Sequence, residues 1–172
     1  MGILEIKKMN NIKFVPLKDS DFTLIKEIYD YYILKSTATF HTEPISIKEL
    51  KEFIFIDHPV YKAYLVYYNK EIAGYCYFTY FKKRQAYNRT AEVTLYLKPE
   101  FCHKGLGIEV LGHLENIAKQ TIIKNLIGII TGTNTESIKL FEKAGYSRCA
   151  HYVKVGEKFG QILDVLAYQK TI

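Results

Sequence analysis

Apolar residues along the chain change their period several times, and each change marks an element. Residues 12–17, Ile12 to Leu17, read as a first strand. Asp19, Ser20 and Asp21 then offer helix caps. Behind them Phe22, Ile25, Ile28, Tyr29 and Tyr32 recur at helical spacing to about Leu34. Ser46-Ile47-Lys48-Glu49 has the Ser-x-x-Glu form of a capping box and opens a short helix. Leu50, Phe53 and Ile54 form its apolar stripe, and Asp57-His58-Pro59 ends it. Residues 62–68, 72–81 and 90–97 are rich in the strand formers Tyr, Val, Phe, Ile and Thr. With Asn69-Lys70-Glu71 as a hairpin turn, they predict a meander of three antiparallel strands.

From Gly105 the helical period returns, through Val110, Leu111, Leu114, Ile117 and Ala118 to about Gln120. Leu126 to Ile130 read as a strand. Asn134 caps a further helix carrying Ile138, Leu140 and Phe141, and Ala144-Gly145 closes it. Tyr146 to Val153 and Gln161 to Ala167 read as two last strands. The predicted order is β-α-α-β-β-β-α-β-α-β-β. No repeat, low-complexity tract or Gly/Ser/Pro-rich linker interrupts it, so a single domain over 1–172 is expected.

Composition narrows the class. A chain of 172 residues that is 48% hydrophobic and 24% charged suits one globular domain. It is long enough to bury roughly two-thirds of its unfolded surface. No apolar run reaches the length of a membrane span, and Met1 to Lys13 lacks the apolar core of a signal peptide. Cys76, Cys102 and Cys149 are odd in number and share no metal-ligand spacing, which suits a reduced cytoplasm. His41, His58, His113 and His151 show no metal spacing either, so no metal is expected. The net charge of +6 fits solubility or attraction of a phosphorylated cofactor. Its lysines are dispersed apart from the short run Lys82-Lys83-Arg84, which argues against a nucleic-acid-binding stripe.

The chemistry gathers between the third predicted strand of the meander and the helix after it. Lys98-Pro99-Glu100-Phe101-Cys102-His103-Lys104-Gly105-Leu106-Gly107 joins the two. A helix N-terminus presents unsatisfied N–H groups and partial positive charge. Glycines let that backbone come close to a phosphate, and His103 and Lys104 add donors. The segment reads as a pyrophosphate cradle or as a plain strand-to-helix turn. It has neither the Walker pattern nor the three-glycine Rossmann fingerprint. On the preceding strand, alternation puts Thr90, Glu92, Thr94 and Tyr96 on one face and Ala91, Val93, Leu95 and Leu97 on the other. A carboxylate at Glu92, inside an apolar strand, is a candidate base whose pKa burial would raise.

Cys102-His103-Lys104-Gly105-Leu106-Gly107 resembles the acyl-CoA pyrophosphate loop of the GCN5-related N-acetyltransferase (GNAT) superfamily, Gln/Arg-x-x-Gly-x-Gly/Ala, with Cys102 at the first position. Asn134 to Tyr146 resembles the superfamily's Asn-x-x-Ser/Ala-x-x-Leu/Phe-tyrosine segment. Tyr31 to Pro44 and Phe81 to Glu92 are similar to segments of its phosphinothricin and methionine-sulfoximine acetyltransferase group, which often has a histidine where Phe141 stands. The resemblance implies an α/β (α+β) GNAT fold, a mixed, mostly antiparallel sheet of about seven strands flanked by about four helices.

It also implies an enzyme that moves acetyl from acetyl-CoA to the amine of a small amino-acid-like acceptor. Glu92 would be the general base and Tyr146 would protonate the departing thiolate. Leu95, Tyr96, Leu97, His103, Lys104, Gly105, Leu106, Gly107, Ile108, Asn134 and Ser137 would hold the cofactor. Phe40, Arg84 and Tyr87 would receive the acceptor, and the group commonly forms homodimers. Two alternatives stand beside this reading: a non-catalytic acyl-CoA-binding sensor, and an acetyltransferase for a protein N-terminus, polyamine or antibiotic.

Overall fold

The computed structural model describes residues 11–172. The reading of the N-terminal segment as free of a targeting core concerns residues that lie mostly outside that range. Seven strands and four α-helices follow the expected order. They are β1 (Ile12–Pro16), α1 (Phe22–Lys35), α2 (Ile47–Leu50), β2 (Lys62–Tyr68), β3 (Glu71–Tyr80), β4 (Thr90–Leu97), α3 (Leu106–Ala118), β5 (Asn125–Thr131), α4 (Thr135–Lys143), β6 (Ser147–Lys158) and β7 (Gln161–Thr171). The strands form one sheet in the order β1-β2-β3-β4-β5-β7-β6. Every neighbouring pair is antiparallel except β4 and β5, which run parallel.

Local chemistry explains most of the boundaries. The capping box forms: Glu49 Oε2 accepts from the Ser46 N–H at 2.7 Å, and Ser46 Oγ accepts from the Glu49 N–H at 3.2 Å. The helix it opens is a single turn, yet Leu50 and Ile54 are both buried as the stripe predicts. Tyr68 pairs with Glu71, so the first hairpin loop is only Asn69-Lys70. Both loop residues have positive φ, 50° and 72°, the backbone whose twist matches that of the flanking strands.

The last hairpin departs from expectation. β6 runs to Lys158 and β7 to Thr171, well past the expected ends. The register shifts between Tyr152 and Gly156, and that bulge breaks the alternation by which a strand is recognised.

Two apolar layers sandwich the sheet. On one face Cys76, Phe78 and Val93 pack with Val110, Leu111 and Leu114 of α3. On the other, Leu65, Tyr75 and Tyr77 pack with Phe22, Ile25 and Ile33 of α1. Covered on both faces, β3 therefore reads as a continuous apolar run rather than an alternating one.

Candidate active site

β4 and β5 pair over only three rungs, Thr90↔Asn125, Ala91↔Leu126 and Glu92↔Ile127. Both strands continue, but they part beyond Glu92. Gly128 is the first β5 residue past the last rung. A Cβ there would lie 2.2 Å from Phe141 Cε1, so the α4 ring is seated against bare backbone where the strands separate. A cavity of about 1040 Å³ occupies the gap. Leu95, Tyr96 and Leu97 line it from β4, and the opening turn of α3 lines it through Gly105, Leu106, Gly107 and Ile108.

Gly105 takes φ 77° at the start of α3, and no side chain caps that helix end. The first amides of α3 are therefore free to meet an anion. Gly107 has a further reason to be glycine. A Cβ there would fall 2.7 Å from Leu140 Cδ2, so its bareness lets α4 pack against α3.

His103 lines the cavity with φ 59°, its Nδ1 3.6 Å from the Glu136 carboxylate. Lys104 does not line it and holds its ammonium 5.0 Å from the Phe101 ring centre. Cys102 Sγ donates to the Lys98 carbonyl at 3.6 Å and lies 3.9 Å from the Tyr32 hydroxyl, which itself donates to the Leu97 carbonyl. Asn134 caps α4 by accepting from the Ser137 N–H at 3.1 Å, and both residues also face the cavity.

Glu92 lines the cavity from the last paired rung. Burial pushes its carboxyl up to about 7. Tyr29, Tyr77 and Tyr96 stand near enough for its charge to raise their own hydroxyls further, beyond what burial does.

The structure does not bring all the expected residues together. Tyr146 is outside the cavity lining, because the chain turns at Gly145 (φ 85°) and buries the ring under Phe141, centroids 4.9 Å apart. Its hydroxyl is buried without a hydrogen-bond partner among the described residues, and burial first, then Glu115, holds its pKa above the ordinary tyrosine value. Phe141 is the residue that lines the cavity. Phe40 lines it as expected, whereas Arg84 and Tyr87 do not. Arg84 is exposed, and Tyr87 packs edge-on against Phe81, which does line it.

Sequence reasoning missed a wall made by Tyr29, Thr39 and His41. The Tyr29 hydroxyl hydrogen-bonds Thr39 Oγ1 at 2.8 Å and His41 Nδ1 at 2.7 Å. Tyr29 sat on the apolar stripe of a helix, where a tyrosine reads as core, and only the polar cluster after α1 hinted otherwise.

A cleft between parted parallel strands thus opens beside an uncapped helix N-terminus. Residues 14–167 match the Acetyltransferase (GNAT) domain family, and the chain belongs to it. Its class is that of the GNAT acetyltransferases. A Bacillus subtilis protein assigned provisionally as a phosphinothricin acetyltransferase is 32% identical over 149 residues, spanning 84% of this chain and 90% of its own. Phosphinothricin N-acetyltransferase of Streptomyces coelicolor is 26% identical, over 91% of this chain and 94% of its own. A GNAT phosphinothricin acetyltransferase of Sinorhizobium meliloti, solved with acetyl-CoA, shares the fold with a TM-score of 0.85 at 24% identity, over 94% and 89% of the two chains.

Proposed function

We propose that the chain transfers acetyl from acetyl-CoA to the primary amine of a small amino-acid-like acceptor of the phosphinothricin or methionine-sulfoximine type. The observation that carries this reading is Glu92, a carboxyl whose pKa burial raises to about 7, on the last rung before the strands part. An alkylammonium with a pKa of about 10 is mostly protonated at neutral pH, so a base must free its lone pair. Glu92 takes that proton.

The cavity fits the co-substrate. The free amides at the start of α3 suit a pyrophosphate, and the gap past Glu92 suits an extended arm. When bound, acetyl-CoA supplies an activated carbonyl and a thiolate leaving group. Past Glu92 the β4 backbone has no β5 partner, and its amides near Leu95 to Leu97 are the candidate donors to the developing oxyanion. Asn134 and Ser137, which line the cavity, would border the arm. Tyr146 lies behind Phe141 and serves to seat that ring rather than to move a proton. Phe40 walls the acceptor end, and Arg84, outside the cavity lining on the exposed loop after Phe81, is a candidate partner for an acceptor's acid group.

A sensor that only binds acyl-CoA has no use for a buried carboxylate of raised pKa in its cleft. A homodimer is proposed through β6, an edge strand on which Tyr152, Val153 and Val155 are 50%, 61% and 59% exposed. The free thiols Cys76, Cys102 and Cys149 suit a reducing, cytoplasmic setting.

Glu92→Gln tests the reading. Thiol release with methionine sulfoximine should fall about 10²- to 10⁴-fold, while the acetyl-CoA dissociation constant stays unchanged. The wild-type kcat/KM should climb with pH through about 7 as Glu92 loses its proton. Undiminished turnover in the variant would remove Glu92 from the chemistry.

A further inference from the structure

Lys158, at the end of β6, sends its side chain inward and is only 2% exposed. Among the described residues no carboxylate pairs with it. Its Nζ instead donates to the Thr39 carbonyl at 2.7 Å and the Tyr32 carbonyl at 3.5 Å. A buried ammonium without a counter-ion is costly, and a methionine would fill the same space without that cost. Its Nζ also stands 5.1 Å from the Phe159 ring centre. Its hydrogen-bond partners show what it does: they lie on the last turn of α1 and on the segment that follows it.

That segment, Ser36 to His41, lines the cavity along its whole length. It is tied down from three sides. Thr131 Oγ1, at the end of β5, donates to the Thr37 carbonyl at 2.6 Å. Tyr29 of α1 holds Thr39 and His41 through its hydroxyl. The β6–β7 hairpin holds it twice, through Lys158 and through Gly156, where a Cβ would lie 2.1 Å from Phe40 Cε1. No residue of β6 or β7 lines the cavity itself. β7 backs the lining residues Ile129 and Ile130 of β5, and β6 reaches the site through this segment. The segment's Thr39–His41 end adjoins Tyr29 and Tyr96, the neighbours of Glu92, where an acceptor amine must arrive.

We propose that Lys158 is a positioning residue for the acceptor: with Gly156 it fixes the Ser36–His41 strap, and the hairpin thereby sets acceptor affinity without touching the acceptor. The inference rests on the acetyl-transfer reading above. Its test is steady-state thiol release with acetyl-CoA and methionine sulfoximine. Lys158→Met should raise the acceptor KM about tenfold and leave the acetyl-CoA KM within about twofold. Lys158→Arg keeps a charged donor and should recover part of the loss. Gly156→Ala changes no charge but displaces Phe40, and should raise the same KM. In a Phe40→Ala background Gly156→Ala should then have no further effect.

An unchanged acceptor KM in Lys158→Met and Gly156→Ala, or an equal rise in both KM values, overturns the proposal. If Lys158→Met does not fold, Gly156→Ala decides alone by the same criterion. Absence of thiol release from the wild type with any amine overturns the acetyl-transfer reading and this proposal with it. Release by the wild type with unaffected variants overturns this proposal only.

Discussion

Glu92 shows how one residue links site chemistry to stability. Its carboxyl titrates at about 7 in the folded chain, against an ordinary 4.5. Between those values the folded state holds a proton that the unfolded state has released. Stability therefore falls as pH rises through that window, by about 3 kcal/mol, and the loss is complete above pH 7. Glu92→Gln stays neutral throughout, so it should be more stable than the wild type above pH 7 by up to about 3 kcal/mol. The two should converge below pH 4.5, the unfolded value, as urea midpoints measured across pH would report. Glu92 was legible in the sequence because a carboxylate interrupts an apolar strand. Tyr146 was legible only as a tyrosine after a glycine. The turn at Gly145, which carries its ring beneath Phe141, has no sequence signature that separates a cleft from a core position.

At the scale of elements, caps and turns translated almost directly into structure. Ser46, Asn134 and the Asn69-Lys70 loop each act through a hydrogen bond or a backbone conformation settled within four residues. Elements that depend on distant partners were less legible. The bulge in β6 and the length of the last hairpin follow from pairing with β7, not from local preference. The α3–α4 contact is of the same kind. Gly107 looked like a phosphate-binding glycine, yet its bareness also admits Leu140. Gly107→Val should therefore push α4 away from α3, costing about 1–3 kcal/mol by overpacking. On the proposed function it should also weaken acetyl-CoA binding, because Asn134 and Ser137, which line the cavity, travel with α4. Thermal melts with and without acetyl-CoA would show both effects, and loss of ligand stabilisation without a lower apo melting temperature would contradict the packing role.

For the whole molecule, one buried ion pair joins three elements. Lys170 of β7 donates to Glu115 of α3 at 2.7 Å and to the Ala144 carbonyl at the end of α4 at 2.7 Å. The side chains are 29% and 11% exposed, so the pair is largely withdrawn from water. Removing one partner strands the other's charge against the core. Lys170→Met should lower stability by about 3 kcal/mol, and Lys170→Met with Glu115→Gln should restore much of it. Denaturant titrations of the two variants check this. A double variant no more stable than the single one would assign the loss to packing of the lysine stem instead.

The sequence by itself determined the elements, their order and the candidate carboxylate, because helix periods, caps and a charge inside an apolar strand are all local signals. The family resemblance chose the acyl-CoA reading of the glycine loop over a plain turn, and ten of its eleven expected cofactor residues face the cavity, all but Lys104. Only the tertiary structure decided where β4 and β5 separate, which aromatic ring stands at the wall, and that a buried lysine from the far hairpin holds the strap beside Glu92. Those outcomes depend on residues far apart in the chain, whose packing no local pattern encodes.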